Sequence, residues 1–347
     1  MKFSRAVQWI IGACLAAGGL LIFLHSVDPH KLAQHLLHAS PLSIAASAVL
    51  ALATLWLRAI RWRVMLPSPP LSHKKQLFQI VTIAFMINNI LPARMGEAAR
   101  AVLLWRRNGY TAAVSIGSLI LERGLDILVL SACFFIPVFF VPGIGAGAQS
   151  LKYTAVTLHA ASVLLAIFAA CGVGLLAVYS FIPSFVKLLF TRIFSIAPAM
   201  IRPKIARIGK DVASTLDWTF SLRKVCAVSA LSVGIVSCYA LSVVVFAQGT
   251  GFGFLQGIFS QAFAALGAAI PLAPGYVGTL HAVMLEGLML CGVERDKAQA
   301  VTILFHAVPY ITITLLGLYY FFNLKITFKG ISEAEKDIEQ EDMGAHE

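Results

Sequence analysis

The sequence predicts an all-α polytopic membrane protein with six full spans and two re-entrant helical hairpins arranged as an inverted repeat. Three observations predict this class. Apolar residues make up 59% of the chain and charged residues only 12%, about half the charged share of a soluble domain. Several long stretches carry almost no charge, and Pro and Gly cluster within two other apolar segments. Lipid offers no partners for unpaired backbone groups, so the spans must be helices.

Six segments are long and apolar enough to cross a hydrocarbon core of roughly 30 Å at about 1.5 Å per residue. They are 6–24, 42–60, 112–141, 154–181, 225–247 and 299–322. The first is similar to a signal peptide, but its apolar run is longer and lacks a small-x-small cleavage site before His25. We therefore expect a retained membrane anchor.

Two further apolar segments, Leu77–Pro92 and Leu255–Pro274, run into clusters of Pro and Gly. Such residues break a helix at membrane depth, and broken helices are typical of transporters. Each segment therefore predicts a re-entrant hairpin. The residues expected at the hinges are Pro92, Gly96, Pro274 and Gly278.

The distribution of Lys and Arg predicts the orientation of these spans. If the N-terminus is cytoplasmic and both hairpins return to the side they entered, the cytoplasmic side receives 22 basic residues and the exterior four. The 22 are two before the first span, five in 58–75, four in 94–107, eight in 187–224 and three after 322. Cytoplasmic loops are enriched in Lys and Arg, so both termini are expected in the cytoplasm.

The same assignment predicts an inverted repeat. Each half contains two spans, a hairpin and a third span, over 6–141 and 154–322, and the halves have opposite orientations. Transporters built this way bind substrate near the midplane at the repeat interface. Residues 1–331 are thus expected to form one transmembrane domain. A basic, amphipathic cytoplasmic linker over 182–224 is expected on the inner leaflet or, alternatively, docked on a partner, and an acidic, disordered tail over 332–347.

Three charged residues, Glu122, Arg123 and Asp126, lie near the middle of the span 112–141. A charge at the centre of a membrane helix costs about 2.5–3.5 kcal/mol, so these side chains must face protein or water. Glu122 and Asp126 share a helical face, and Arg123 and Asp126 are spaced to pair. The cluster predicts either a substrate or ion site, or an ion network that holds this span to its neighbours.

A second polar group, Asn89, Arg94, Glu97 and Arg100, surrounds the first break. A helix that starts after Pro92 presents its first N–H groups and its dipole to an anion. Arginine binds phosphate bidentately. The group therefore predicts a site for an anionic lipid phosphate, and the alternative is that the arginines are cytoplasmic anchors only.

In the second half, His306 occupies the position of the repeat that corresponds to Arg123. It is expected to contribute to the substrate site or to carry protons, with a histidine buried in the bundle as the alternative. The six cysteines lie in or beside apolar runs without a Cys-x-x-Cys, and no nucleophile arrangement or Gly-rich phosphate loop is evident. We expect no metal, cofactor or catalytic residue, and no nucleic-acid partner, because the positive charge lies in loops where it attracts anionic headgroups.

The segments NNILPARMGEAAR (88–100) and LERGLD (121–126) resemble the lysylphosphatidylglycerol synthase transmembrane family, also called flippase-like domain proteins. Residues 274–279 and the helix that continues to His306 are similar to its C-terminal half. The resemblance implies lipid translocation or support of lipid export, with the site in these motifs. No aminoacyl-transfer domain is expected, since about 25 residues follow the last span. Thr279-Leu280-His281 stands where many relatives carry an acid.

The leading hypothesis is a translocase for a lipid or lipid-linked substrate, rather than an enzyme, in the bacterial cytoplasmic (inner) membrane. Its expected partners are membrane lipids, above all anionic ones, and lipid-biosynthesis enzymes. The first alternative is an integral-membrane enzyme that acts on a lipid headgroup, with Glu122 or Asp126 as general base. The second is a non-catalytic partner of a lipid or hopanoid biosynthesis complex.

Overall fold

The computed structural model describes residues 5–24, 27–67, 73–91, 94–141, 209–248, 251–269 and 274–327. This part of the chain is helical and contains no strand. The α-helices that lie wholly within these ranges are α1 (Arg5–Leu24), α2 (Pro29–Leu37), α3 (Pro41–Met65), α4 (Lys74–Ile90), α5 (Met95–Asn108), α6 (Ala112–Phe140), α7 (Leu222–Phe246), α8 (Phe254–Ala269), α9 (Thr279–Leu290) and α10 (Arg295–Asn323). Residues 209–214 are also α-helical. Outside the described residues lie the predicted span 154–181, residues 182–208 of the linker, Pro92 and the tail 332–347.

Three of the described helices, α3, α7 and α10, are long and apolar enough to cross a bilayer. The 29-residue helix α6 carries the three charges expected in the third span. These helices, together with α1, correspond to five of the six predicted spans. The chain is therefore a multi-pass helical membrane protein.

The end of α3 differs from the prediction. The sequence assigned Arg61 to a cytoplasmic loop, and this was wrong, because α3 continues to Met65 and the Arg61 side chain is 1% exposed. Arg58 also lies within the helix. The extension is stabilised by burial of Trp62 and Met65 in the core. Without these two arginines, the basic residues still favour the cytoplasmic side of the predicted topology.

Four shorter helices form two packed pairs, α4 with α5 and α8 with α9. Glycine permits the close approaches at both breaks. A Cβ on Gly96 would lie 1.9 Å from the carbonyl oxygen of Ala84 in α4. A Cβ on Gly278, whose φ is +85°, would lie 2.1 Å from the carbonyl oxygen of Ala16 in α1. Both positions thus act as close-packing points between helices.

The predicted first exterior loop contains a short helix, α2. Asp28 caps its N-terminus and accepts the backbone N–H groups of His30 at 2.9 Å and Lys31 at 3.3 Å. These hydrogen bonds, that of Lys31 first, lower the pKa of the Asp28 carboxyl. Lys31 pairs with Asp296 of α10 at 3.0 Å. This contact ties α2 to the start of α10.

The hydrophobic core has two large parts. One packs α3, α4 and α5 against the end of α10, around Trp62, Leu77 and Met86. The other packs α7, α9 and the first part of α10 around Met284 and Val301. Helices from both parts line a polar cavity.

Candidate functional site

The centre of the site is a buried ion network around Glu122, whose side chain is fully buried. Arg100 Nη2 lies 2.7 Å from Glu122 Oε2, an ion-pair distance without the alignment of a hydrogen bond. Arg61 Nη2 lies 3.3 Å from Glu122 Oε1. The Arg100 guanidinium also stacks on the Trp62 ring at 3.8 Å, which adds a cation–π attraction. These contacts fix α5 and α3 to α6.

Asp126 extends the network one turn along α6. Its Oδ1 accepts from Arg61 Nη2 at 2.6 Å, and its Oδ2 lies 3.4 Å from Arg58 Nη1. The Arg58 guanidinium lies over the rings of Phe85 and Tyr239, at 5.3 and 6.0 Å. The network therefore reaches from α3 and α6 to α4 and α7.

A more open group faces away from this buried centre. Arg94 and Arg123 are 28% and 33% exposed, and both approach Glu97 Oε1, at 3.7 and 3.8 Å. Arg123 Nη1 also lies 3.3 Å from Asp126 Oδ2, the pair expected from the i,i+3 spacing. Glu97 thus orients Arg94 and Arg123, whereas Arg100 turns to Glu122.

The two chain breaks contact one another. Arg94 is the N-cap of α5 in a left-handed conformation with φ of 51°, and its Nη2 donates to the carbonyl oxygen of Ala268 in α8 at 2.9 Å. Asn88 Oδ1 accepts the Gly96 N–H at 2.8 Å and so joins the end of α4 to the start of α5. The first break is therefore held by both halves of the chain.

Asn89 anchors α4 to α10. Its Nδ2 donates to the Thr314 hydroxyl at 2.9 Å, and its carbonyl oxygen accepts from the Tyr310 hydroxyl at 3.1 Å. A Cβ on Gly275 would lie 2.9 Å from the same carbonyl oxygen. Asn89 thus holds the first break against the second.

His306 belongs to a hydrogen-bonded pair with His281. The Gly278 N–H donates to His281 Nδ1 at 3.2 Å, so the proton of this ring is on Nε2. From there it donates to His306 Nδ1 at 3.3 Å. His306 then carries its own proton on Nε2 and hydrogen-bonds the backbone of Gly275. The pair links α10 to the second break.

These groups surround a cavity of about 500 Å³. One wall is polar and carries Arg94, Arg123 and Asp126. Another is apolar and includes Leu130 of α6, Ile235 of α7 and alanines of α8. Within the described part of the chain, no group of three or more His, Cys, Asp or Glu side chains is placed to hold a metal ion. The arrangement is suited to binding an amphipathic anion.

The structure brings the predicted site residues together. Those that line the cavity are Asn89, Arg94, Glu97, Arg100, Arg123, Asp126 and His306, and Glu122 lies buried behind this wall. Of the predicted hinge residues, Gly96, Pro274 and Gly278 lie at the two breaks.

Sequence reasoning missed other polar residues of the cavity, namely Arg58, Arg61, Ser232, Tyr239, Gln261, Tyr276 and Tyr310. For the two arginines a signal was available, since Arg58 and Arg61 follow an apolar span at i,i+3 spacing and would share a helical face.

The profile of the lysylphosphatidylglycerol synthase transmembrane region matches residues 9–317. A Haloferax volcanii protein named glycosyltransferase AglD is 25% identical over 345 residues, 91% of this chain and 54% of that relative, so the chain spans about half the relative's length. A UPF0104 membrane protein of Methanothermobacter thermautotrophicus is 23% identical over 352 residues, 97% of this chain and 98% of the relative. A UPF0104 membrane protein of Methanocaldococcus jannaschii is 22% identical over 244 residues, 68% of this chain and 93% of the relative.

Proposed function

Because the chain belongs to the lysylphosphatidylglycerol synthase transmembrane family, we propose that it is a membrane translocase for a lipid or lipid-linked substrate. The observation that carries this proposal is the cavity of about 500 Å³, which combines guanidinium groups with an apolar wall. A lipid needs both kinds of surface, a polar one for its headgroup and an apolar one for its chain. Because the Haloferax relative is named a glycosyltransferase, we add sugar-bearing lipids to the candidate substrates.

The proposed substrate site lies between two halves of opposite orientation, each with a re-entrant hairpin. The pattern of helix contacts supports this arrangement, since contacts occur in corresponding pairs. The first helix of each hairpin, α4 or α8, packs on the third span of the other half, α10 or α6. The second helix of each hairpin, α5 or α9, packs on the third span of its own half, α6 or α10. Helices α3 and α7, the corresponding spans, pack on one another. At about 1.5 Å per residue, the 17 residues of α4 and the 12 of α9 are shorter than a bilayer core of about 30 Å.

We place both termini in the cytoplasm and the protein in the bacterial cytoplasmic membrane. The count of Lys and Arg supports this orientation, and two contacts support the predicted grouping of helix ends on each side. Arg107 Nη2, at the end of α5, donates to the Leu324 carbonyl oxygen after α10 at 2.7 Å, and both positions are cytoplasmic in the predicted topology. Lys31 and Asp296 pair at 3.0 Å, and both are exterior.

Translocation without covalent chemistry is part of the proposal. The two carboxylates that line the cavity, Glu97 and Asp126, are each engaged by at least two guanidinium groups. A general base must lie within hydrogen-bond reach of the proton that it removes, and a carboxylate held by guanidinium groups is less available to accept one. The engaged state of both groups therefore favours transport over the enzymatic alternative.

The test uses purified protein in vesicles that carry fluorescent phospholipids and glycolipids, with a membrane-impermeant quencher added outside. We expect the protein to expose at least one lipid class that stays protected in empty vesicles. Arg123→Lys keeps the charge but lacks the planar fork. Losing a charged hydrogen bond of about 1.5–3 kcal/mol should slow transport about tenfold or more.

The matched control is Arg107→Lys, the same change at the exposed end of α5, which should keep wild-type activity. Failure to move any lipid class would overturn the translocase. Full activity of Arg123→Lys would remove Arg123 from the ligand site. Mass spectrometry of the recovered lipids tests the enzymatic alternative, since chemically altered lipid would support an enzyme. If the protein is instead a non-catalytic partner of a biosynthesis complex, removing the charges of the ion network should leave the function of that complex unchanged.

A further inference from the structure

The polar site holds more positive than negative charge. Its acidic members are Glu97, Glu122 and Asp126, three in number, and its basic members are Arg58, Arg61, Arg94, Arg100 and Arg123, five in number. The site therefore carries a surplus of two positive charges. Burying charge without a counter-charge is unfavourable, so this surplus calls for an anionic ligand.

The remaining acids of the described residues do not supply the counter-charge, because none of them lines the cavity. Outside the described residues, Asp and Glu occur only within 332–347, and the segment 142–208 contains neither. The acidic tail is thus the one part of the chain that could compete with an external anion. Deleting the tail therefore tests whether it occupies the site.

The surplus is accessible at Arg94 and Arg123. Arg61 and Arg100 are almost fully buried against Glu122, whereas Arg94 and Arg123 are 28% and 33% exposed and line the cavity. A ligand in the cavity could therefore contact the exposed parts of these two guanidinium groups and supply the missing negative charge.

We propose that the ligand's headgroup is a phosphate monoester or a diphosphate esterified at both ends, with about two negative charges, bound by Arg94 and Arg123. A phosphate monoester carries about −1.5 to −2 charges at pH 7, which matches the surplus. A phosphodiester carries one negative charge, and a zwitterionic headgroup carries none in sum. This inference rests on the proposed function for its lipid part and on the charge count for its phosphate part.

The experiment measures binding of short-chain phosphatidic acid, phosphatidylglycerol and phosphatidylcholine to the full-length protein by native mass spectrometry. We expect phosphatidic acid to bind about tenfold more tightly than phosphatidylglycerol, a difference of about 1.4 kcal/mol, and phosphatidylcholine more weakly still. Equal affinity for the three lipids would overturn the proposal. Inorganic phosphate and pyrophosphate form a further arm, and binding of either as tight as that of phosphatidic acid would overturn the lipid source.

A series of variants changes the surplus in both directions. Glu97→Gln raises it from two to three, and Arg94→Gln or Arg123→Gln lowers it to one. We expect the affinity for phosphatidic acid to follow this order, and Arg107→Gln, a control outside the cavity, to match the wild type. Misfolding would lower the affinity for phosphatidic acid, so it cannot explain the higher affinity that we expect of Glu97→Gln. Affinities that do not follow the surplus would overturn the proposal.

A variant that lacks 332–347 tests the acidic tail as occupant. We expect its affinity for phosphatidic acid to equal that of the full chain, and binding that appears only after this deletion would assign the site to the tail.

The experiments distinguish failure of the phosphate proposal from failure of the translocase proposal. Transport of lipids without a preference for the monoester would sink this inference alone, whereas selective binding without transport would sink the translocase alone.

Discussion

Glu122→Gln should destabilise the protein strongly, because it leaves buried Arg100 without its counter-ion and removes one of the two carboxylates that pair with buried Arg61. Glu122 is fully buried, with Arg100 at 2.7 Å and Arg61 at 3.3 Å. At an effective dielectric constant of about 20, charges at such distances attract by about 5–6 kcal/mol each. Part of this gain offsets desolvation of the carboxylate, so the net loss on breaking a buried pair is about 3–5 kcal/mol. At this chain length the expected fall in Tm is about 4–7 °C.

The assay is thermal unfolding of purified protein in detergent, followed by tryptophan fluorescence, to which Trp62 contributes beside Arg100. Arg100→Gln removes the charge that Glu122→Gln leaves unpaired. The double variant should therefore be about 1–3 kcal/mol more stable than the sum of the single changes predicts. Ser131→Ala is the control on α6, because it removes a buried hydroxyl that bonds only within the helix, to the Ile127 carbonyl oxygen.

Two results would refute this reasoning. If Glu122→Gln melts within 1–2 °C of the wild type, the buried carboxylate is not the counter-ion that the geometry indicates. If the effects of Glu122→Gln and Arg100→Gln add, the two groups are not coupled. A stable Glu122→Gln protein that no longer transports lipid would show that this residue acts in function and not in holding the helices together.

Two further predictions concern topology and packing. In a background without native cysteines, a cysteine in place of Arg107 should react with impermeant reagent only from the cytoplasm and one in place of Gln34 only from outside; exterior labelling at 107 would contradict the re-entrant hairpin. Gly96→Ala should cost about 1–3 kcal/mol or more, because its Cβ would meet the Ala84 carbonyl oxygen at 1.9 Å. Gly124→Ala, whose Cβ has nothing within 4 Å, should be neutral or slightly stabilising, and equal melting temperatures would disprove the packing argument.

Hydropathy and helix-breaking residues could predict the helices that depend on local sequence. The positions of α1, α3, α6, α7 and α10 follow from long apolar runs, although α3 continues to Met65, past the predicted end. The breaks before α5 and α9 follow from Pro and Gly. Charges inside a span must face protein, so the inward position of Glu122 was also predictable. For α2 a signal existed in Asp28-Pro29, an N-cap followed by Pro at the first helical position.

The partners in the site could not be predicted, because they join residues far apart in the chain. Arg61 lies at the end of an apolar run, where a basic residue usually faces the membrane surface. It is buried here because Glu122 and Asp126, more than 60 residues later, supply its counter-charge. The pairing of Arg100 with Glu122 likewise overrides the local i,i+3 option with Glu97, since α5 packs on α6.

All the ion pairs of the network join residues between Arg58 and Asp126, which has a consequence for biosynthesis. Ribosomes add about 5–20 residues per second, so Glu122 emerges about 3–12 seconds after Arg61. Until then, the arginines at the end of α3 can reach the headgroup region with their long side chains. Once α6 enters the bilayer, these arginines have their acids before the helices of the second half have been inserted. The acids of the first half thus have their basic partners within the same half. The helices inserted later pack around an ion network that has already formed.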